Sequence, residues 1–263
     1  MATRSAIINV MAKAADKAAR SLRRDFGEVG QLQVSLKGPG DFVSNADIKS
    51  ERTLREELGK ARPTFGFLME ESGASAGSDP DHRWIVDPLD GTTNFLHGLP
   101  HFAISIALEN KGEIIAGLVY DLVKDEMFWA EKGGGAYCND RRMRVSGRNK
   151  LAESLLATGI PFIGHGDRVR FGKQMDAAMR ETAGVRRLGA AALDLAYVAA
   201  GRYEGYWEEE LSPWDMAAGL LLVKEAGGYV SDLKGGQTML QSGSVLATNN
   251  TLHAPLQALL GNV

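Results

Sequence analysis

One stretch constrains this chain more than any other: Trp84-Ile85-Val86-Asp87-Pro88-Leu89-Asp90-Gly91-Thr92-Thr93-Asn94. Its apolar opening predicts a buried strand, which delivers two carboxylates, separated by two residues, onto a proline-glycine turn. Like charges at such range repel, and both stay ionised only with a cation between them; otherwise one takes a proton. Asp87, Asp90 and the carbonyl of Leu89 offer oxygen alone, a donor set that suits Mg²⁺ far better than Zn²⁺. Gly91 and Thr92 would present backbone amides to a phosphate, and Thr92 or Thr93 would cap the helix that follows. A capping turn explains one aspartate, but hardly both together with the glycine.

The rest of the composition narrows the class. With 263 residues, 44% of them hydrophobic, the chain is long enough to hide about 70–75% of its unfolded surface. Thirty Lys plus Arg against 33 Asp plus Glu leave a formal charge of −3, so no global cationic field would hold nucleic acid or an acidic membrane leaflet. The single cysteine, Cys138, closes neither an intrachain disulfide nor a cysteine zinc site. No apolar run approaches the ~20 residues of a membrane span, and a cytoplasmic protein is the expectation. Arg4, Lys13, Lys17, Arg20, Arg23 and Arg24 on an Ala-rich segment have the look of a transit peptide. Ile7, Ile8, Met11, Ala14, Ala15, Ala18 and Leu22 recur at helical spacing, however, which favours an opening amphipathic helix.

Gly38, Pro39 and Gly40 predict a loop or hairpin within 34–46, followed by a helix from Asp47 to about Leu58. A strand over 64–69 ends at Glu70-Glu71, residues 73–81 read as loop, and 102–108, 114–123 and 127–130 read as an antiparallel meander. After a boundary near 145–150, dividing the chain into 1–146 and 147–263, strands over 155–159, 185–188 and 203–208 alternate with helices over 168–181 and 191–200. A last helix follows Ser212-Pro213 and stops at Gly227-Gly228. The halves should pack as one compact body.

Other acidic residues are less distinctive alone. Adjacent strand residues face opposite ways, so at most one of Glu70 and Glu71 joins Asp87. Capping suffices for Asp47, and the helix dipole, which favours a carboxylate in the first turn of the Pro213 helix, suffices for Asp215. Glu209 and Glu210 read as solvated, His97 and His101 as structural or surface residues, and Arg186 and Arg187 as a strand edge or a subunit contact.

Together these features match a pattern. WIVDPLDGTTNFLHGLPHFAISIAL (84–108) and PWDMAAGLLLVKEAGG (213–228) carry a strong resemblance to the inositol monophosphatase family of Mg²⁺-dependent, Li⁺-sensitive phosphatases. FLMEES (67–72), DFVSNAD (41–47) and RRLGAAALDLAYVAAGRYEGYWE (186–208) extend it nearly end to end. The resemblance implies an α+β fold, a layered αβαβα sandwich shared with fructose-1,6-bisphosphatase, and a phosphoric monoester hydrolase acting on myo-inositol 1-phosphate or a similar polyol phosphate. It implies Glu70, Asp87, Leu89 (carbonyl), Asp90 and Asp215 as ligands of two or three Mg²⁺ ions. Thr92 and Asp47 would orient the attacking water, with Glu70 also in the catalytic set. Substrate contacts would come from Asp90, Gly91, Thr92, Gly189, Ala190, Glu208 and Asp215. A small-molecule phosphate ester, no nucleic acid, no membrane and a homodimer are the implied partners. Bisphosphate or nucleotide hydrolysis in the same fold, and a scaffold role, are the rival readings. The run Glu208-Glu209-Glu210 departs from the family, whose first glutamate is usually followed by small or varied residues.

Overall fold

Helix α1 (Ala6–Phe26) opens the computed structural model, which describes residues 4–28, 34–38 and 41–261. Ser5 caps it by accepting from the Ile8 amide, and Ile8, Met11, Ala14, Ala15, Ala18 and Leu22 are buried on one face. The basic N-terminal segment is thus a packed amphipathic helix, with Arg23 and Arg24 at the end where its dipole favours cations. Strands β1 (Val34–Gly38) and β2 (Asp41–Ser44) pair antiparallel, in keeping with the anticipated hairpin, and residues 39–40 between them lie outside the described residues. Helix α2 (Asn45–Ala61) begins before the expected Asp47 because Ser44 is the N-cap and Asp47 closes a capping box with it.

The chain continues through β3 (Gly66–Met69), β4 (Gly73–Ser75), β5 (His82–Asp90), α3 (Thr92–Leu96), β6 (Ala103–Asn110), β7 (Glu113–Asp121), β8 (Glu126–Glu131), β9 (Gly135–Cys138) and β10 (Arg141–Arg142). These strands form one sheet in the order β10-β9-β8-β7-β6-β5-β3-β4, antiparallel except where β3 meets β5. The meander is as expected. The supposed loop after Glu71 is not: Gly73 turns the chain back with φ +70, and β4 pairs with β3 from Met69 opposite Gly73. Its three residues are too few and too polar to show a period.

Beyond the first sheet come β11 (Leu155–Thr158), α4 (Arg168–Glu181), β12 (Gly184–Arg186), α5 (Ala191–Ala199), β13 (Gly205–Glu208), α6 (Pro213–Glu225), β14 (Gly228–Ser231), α7 (Met239–Ser242), β15 (Val245–Asn249) and α8 (His253–Gly261). The second sheet runs β12-β11-β13-β15-β14. β11 is parallel to both β12 and β13, and β15 is antiparallel to its two neighbours.

Helices α1 and α2 cover one face of the large sheet, burying Trp84, Phe95, Ile104 and Leu118. Its other face shares a core with α5, α6 and the inner face of the small sheet, from Ile85 and Phe128 through Leu193 and Leu221 to Tyr206 and Ala247. Helices α4 and α8 close the outer face over Trp207, Leu246 and Leu256. The result is the αβαβα sandwich of an α+β protein. α5 is buried on every side, which suits its almost wholly apolar sequence. Gly219 lets it approach α6, since a Cβ there would lie 2.5 Å from the Leu195 Cβ. None of the described helices is long and apolar enough to cross a membrane.

Candidate active site

β5 carries Asp87 and Asp90, and in a regular strand residues three apart face opposite ways. The ladder to β6 shows how both reach one side: Asp87 pairs with Ser105 but Asp90 with Ala103, so β5 holds one extra residue in this interval. That bulge, at Pro88-Leu89, restores the phase and aims the two carboxylates together. Gly91 then turns into α3 with φ +88, where a Cβ would press on the His101 carbonyl at 3.1 Å and on Ala190 at 3.3 Å. Gly91 is itself the N-cap, with no side-chain bond, so neither Thr92 nor Thr93 caps α3 as expected. The Thr92 hydroxyl is engaged elsewhere, 2.9 Å from both Asp47 Oδ1 and the Leu89 carbonyl.

Four aspartates around this turn share a design. Each ties one oxygen to a backbone amide: Asp47 Oδ2 to Ser44 (2.9 Å), Asp87 Oδ1 to Leu89 (2.9 Å), Asp90 Oδ2 to Ala192 (2.8 Å) and Asp215 Oδ2 to Ser212 (2.7 Å). Asp47 and Asp215 are the third helical residues that close capping boxes with Ser44 and Ser212; Asp215 also lines the site's cavity, and Asp47 touches it through Thr92. The Ala192 bond brings the N-terminus of α5 onto Asp90 across the two sheets, and Asn94 sutures the same junction by donating to the carbonyls of His101 (2.8 Å) and Leu188 (2.7 Å).

Glu70, Asp87, Leu89, Asp90, Gly91, Thr92, Gly189, Ala190, Glu208 and Asp215 line one cavity of about 320 Å³. Of the expected site residues only Asp47 is absent from its wall, reaching it through Thr92. Glu70, just past β3, is the member of its pair that faces inward, whereas the Glu71 amide donates to Glu51 Oε2 at 2.9 Å. Glu208 needs the bare backbone of Gly159, where a Cβ would fall 1.8 Å from its Oε1, and it accepts from the Tyr206 hydroxyl.

Burial and mutual repulsion dominate the electrostatics. Asp87 is held well above the carboxylate range by burial first, then by the charges of Glu70, Asp90 and Asp215. Asp215 is raised likewise, by burial and then by Asp90. Burial pushes Asp90 up to about 7 against the pull of the Ala192 amide, and Glu208 up to about 7 against its bond from Tyr206 and the charge of Arg187. Asp47 is raised by burial despite its hydrogen bonds. Among the described residues no three acidic, histidine or cysteine side chains stand as a ready-made metal clasp. The donor set nonetheless fits a hard cation: buried carboxylates that repel one another, with no histidine or cysteine on the cavity wall.

Three participants escaped the sequence reading. Arg187 lines the cavity, the one lysine or arginine to do so among the described residues, and counters the charge of Glu208. Asp194, in the first turn of α5, is 1% exposed and raised by burial and then by Glu208 and Asp90; its Oδ1 has no hydrogen-bond partner. Glu51 fixes the backbone beyond Glu70. Only the RRLG segment gave a hint of the first, and nothing in composition singles out a carboxylate inside an apolar helix as part of a site. Glu210 is exposed and Glu209 half-buried, in keeping with solvated residues, yet both have partners: Glu209 meets Arg170 at 2.9 Å and Glu210 accepts from the Gly166 amide at 2.6 Å. A neighbouring loop supplies partners that a charge run cannot reveal.

A layered α+β fold that gathers repelling carboxylates, a threonine-aspartate pair and one arginine at the junction of its sheets defines a site for phosphate-ester hydrolysis. The model of the inositol monophosphatase family matches residues 3–262, and the chain belongs to that family of phosphatases. It is 61% identical over 253 residues to an inositol-1-monophosphatase of Mesorhizobium japonicum, covering 96% of this chain and 95% of the relative. A Pseudomonas aeruginosa protein named Nus factor SuhB is 45% identical, covering 92% and 91%. The crystal structure of extragenic suppressor protein suhB from Bartonella henselae superposes with a TM-score of 0.95 at 55% identity, covering 97% and 98%.

Proposed function

We propose that this phosphatase is Mg²⁺-dependent and hydrolyses myo-inositol 1-phosphate or a similar polyol phosphate to the alcohol and inorganic phosphate, by direct attack of water and without a covalent phosphoenzyme. One observation carries the reading: Glu70, Asp87, Asp90 and Asp215, drawn from two strand ends and a helix start, line a single cavity. The name of the Mesorhizobium relative supports the substrate.

Glu70, Asp87, the Leu89 carbonyl, Asp90 and Asp215 would hold Mg²⁺. When bound, the ion lowers the pKa of water and balances charge on the phosphoryl oxygens. The chain's own groups do the rest. Asp47 accepts the Thr92 hydroxyl proton, which leaves a Thr92 lone pair to receive a hydrogen from the nucleophilic water and hold it in line with phosphorus. The Gly91 and Thr92 amides hold the phosphate, and Glu208 with Gly189 and Ala190 meets the polyol hydroxyls.

Phosphate release from inositol 1-phosphate, with and without chelation and in Asp90→Asn, tests the reading. Turnover is expected to vanish with either change and to be inhibited by millimolar Li⁺; robust turnover under chelation or in the variant would reject it. The Nus factor name of one relative favours a second reading, in which the protein also serves as a binding partner in a larger assembly. Cellular function retained by Asp90→Asn, once its phosphate release is lost, would separate the two roles.

A further inference from the structure

A second cavity, about 360 Å³, lies beside the first and shares with it the walls at Glu70, Gly159, Phe162, Glu208, Leu211 and Asp215. It lies at the carboxyl ends of the parallel strands β11 and β13, beneath the loop that leads into α4. The two compartments differ in chemistry. The first has Arg187 on its wall, but among the described residues no lysine or arginine lines the second, whose charged residues beyond the shared carboxylates are Asp167, Glu209 and Glu210. Its remaining surface is largely apolar and aromatic: Ile160, Phe162, Phe171 and Trp214 over the buried Trp207, with His165 stacked on Phe162 at 4.5 Å between ring centroids.

The walls are built rather than incidental. Glu210 holds the Gly166 amide, Asp167 accepts from the amides of Val169 and Arg170, and Glu209 pairs with Arg170, so the loop over the cavity is fastened at three points. The acidic run Glu208-Glu209-Glu210 thus falls on this compartment. Among the described residues, a second phosphate placed here would meet carboxylates and no lysine or arginine, whereas a flat uncharged or cationic ring would find aromatic faces.

The geometry points to a subsite for the leaving alcohol: the phosphomonoester takes its phosphate into the acidic cavity and lays an aromatic ring, borne by the alcohol, into the second. This rests on the phosphatase reading and narrows its substrate class to monophosphates with a ring extension, against bisphosphates.

Values of kcat/KM for phenylbutyl phosphate, butyl phosphate and butanediol bisphosphate, with inositol 1-phosphate as the reference and Mg²⁺ present, test it. The phenylbutyl ester should exceed the butyl ester by about ten-fold or more, the worth of burying one ring, and the bisphosphate should fall below it. Phe171→Ala should erase the phenyl gain while leaving butyl phosphate unchanged, and Ile160→Arg, at a half-exposed position, should shift preference toward the bisphosphate. Equal rates for the phenylbutyl and butyl esters, or a wild-type preference for the bisphosphate, would overturn the subsite alone. Hydrolysis of none of the four esters would overturn the phosphatase reading and this inference with it.

Discussion

A carboxylate has two oxygens, and Asp47 uses both: Oδ2 receives the Ser44 amide and hydroxyl, Oδ1 the Thr92 hydroxyl. The hydroxyl has one hydrogen, which Asp47 and the Leu89 carbonyl contest at equal distance, and the charged acceptor should win. Thr92→Val, nearly isosteric, is therefore expected to cut kcat by about 100-fold or more while leaving KM and the stabilisation by Mg²⁺ close to wild type. Steady-state kinetics beside a thermal shift check this, and an unchanged kcat would remove Thr92 from the mechanism. The same duality limits what sequence reveals at this scale. Asp47 and Asp215 were legible only as helix-start carboxylates, because a local rule sees one oxygen of the carboxylate. Asp87 and Asp90 stood out because two acids on one turn exceed what capping needs. Arg187 and Asp194 were missed because their partners lie on other elements.

Helices were legible wherever punctuation was explicit. α6 starts at Pro213 and ends before Gly227 at φ +87, and α4 spans 168–181 as its pattern indicates. Short or late strands were not, since β4, β14 and β15 owe their existence to neighbours that only the folded sheets supply. The contact between α5 and α6 was equally invisible, yet it fixes the helix whose N-terminus holds Asp90. Gly219→Leu would drive a side chain into Leu195, and we expect a loss of about 1–3 kcal/mol by urea unfolding. Activity should fall further than the unfolded fraction explains, because a displaced α5 withdraws the Ala192 amide. Gly159→Ala acts more narrowly: its methyl would occupy the space of Glu208, so KM for the polyol ester should rise with kcat less affected.

At the scale of the molecule, the site lies where two sheets meet around α5 and α6, and a continuous core joins them. The cost of bringing its acids together therefore falls on folding as a whole. Asp90 and Glu208, both at about 7 when folded, begin from 3.8 and 4.5, so between roughly pH 4 and 7 the folded state keeps protons that the unfolded chain has released. Stability from these groups is complete below the lower values and drains away as pH rises through about 7. Asp87 and Asp215 shift in the same direction and extend the window upward. The metal-free protein should accordingly melt at a lower temperature at about pH 8 than at about pH 6, and Mg²⁺, which replaces protons on the same oxygens, should raise the melting temperature more at the higher pH. Scanning calorimetry at both pH values, with Mg²⁺ or with chelator, checks the sign. A Mg²⁺ increment independent of pH would mean that the ion binds away from the raised carboxylates, and the Asp90→Asn protein should lose most of the increment if it does not.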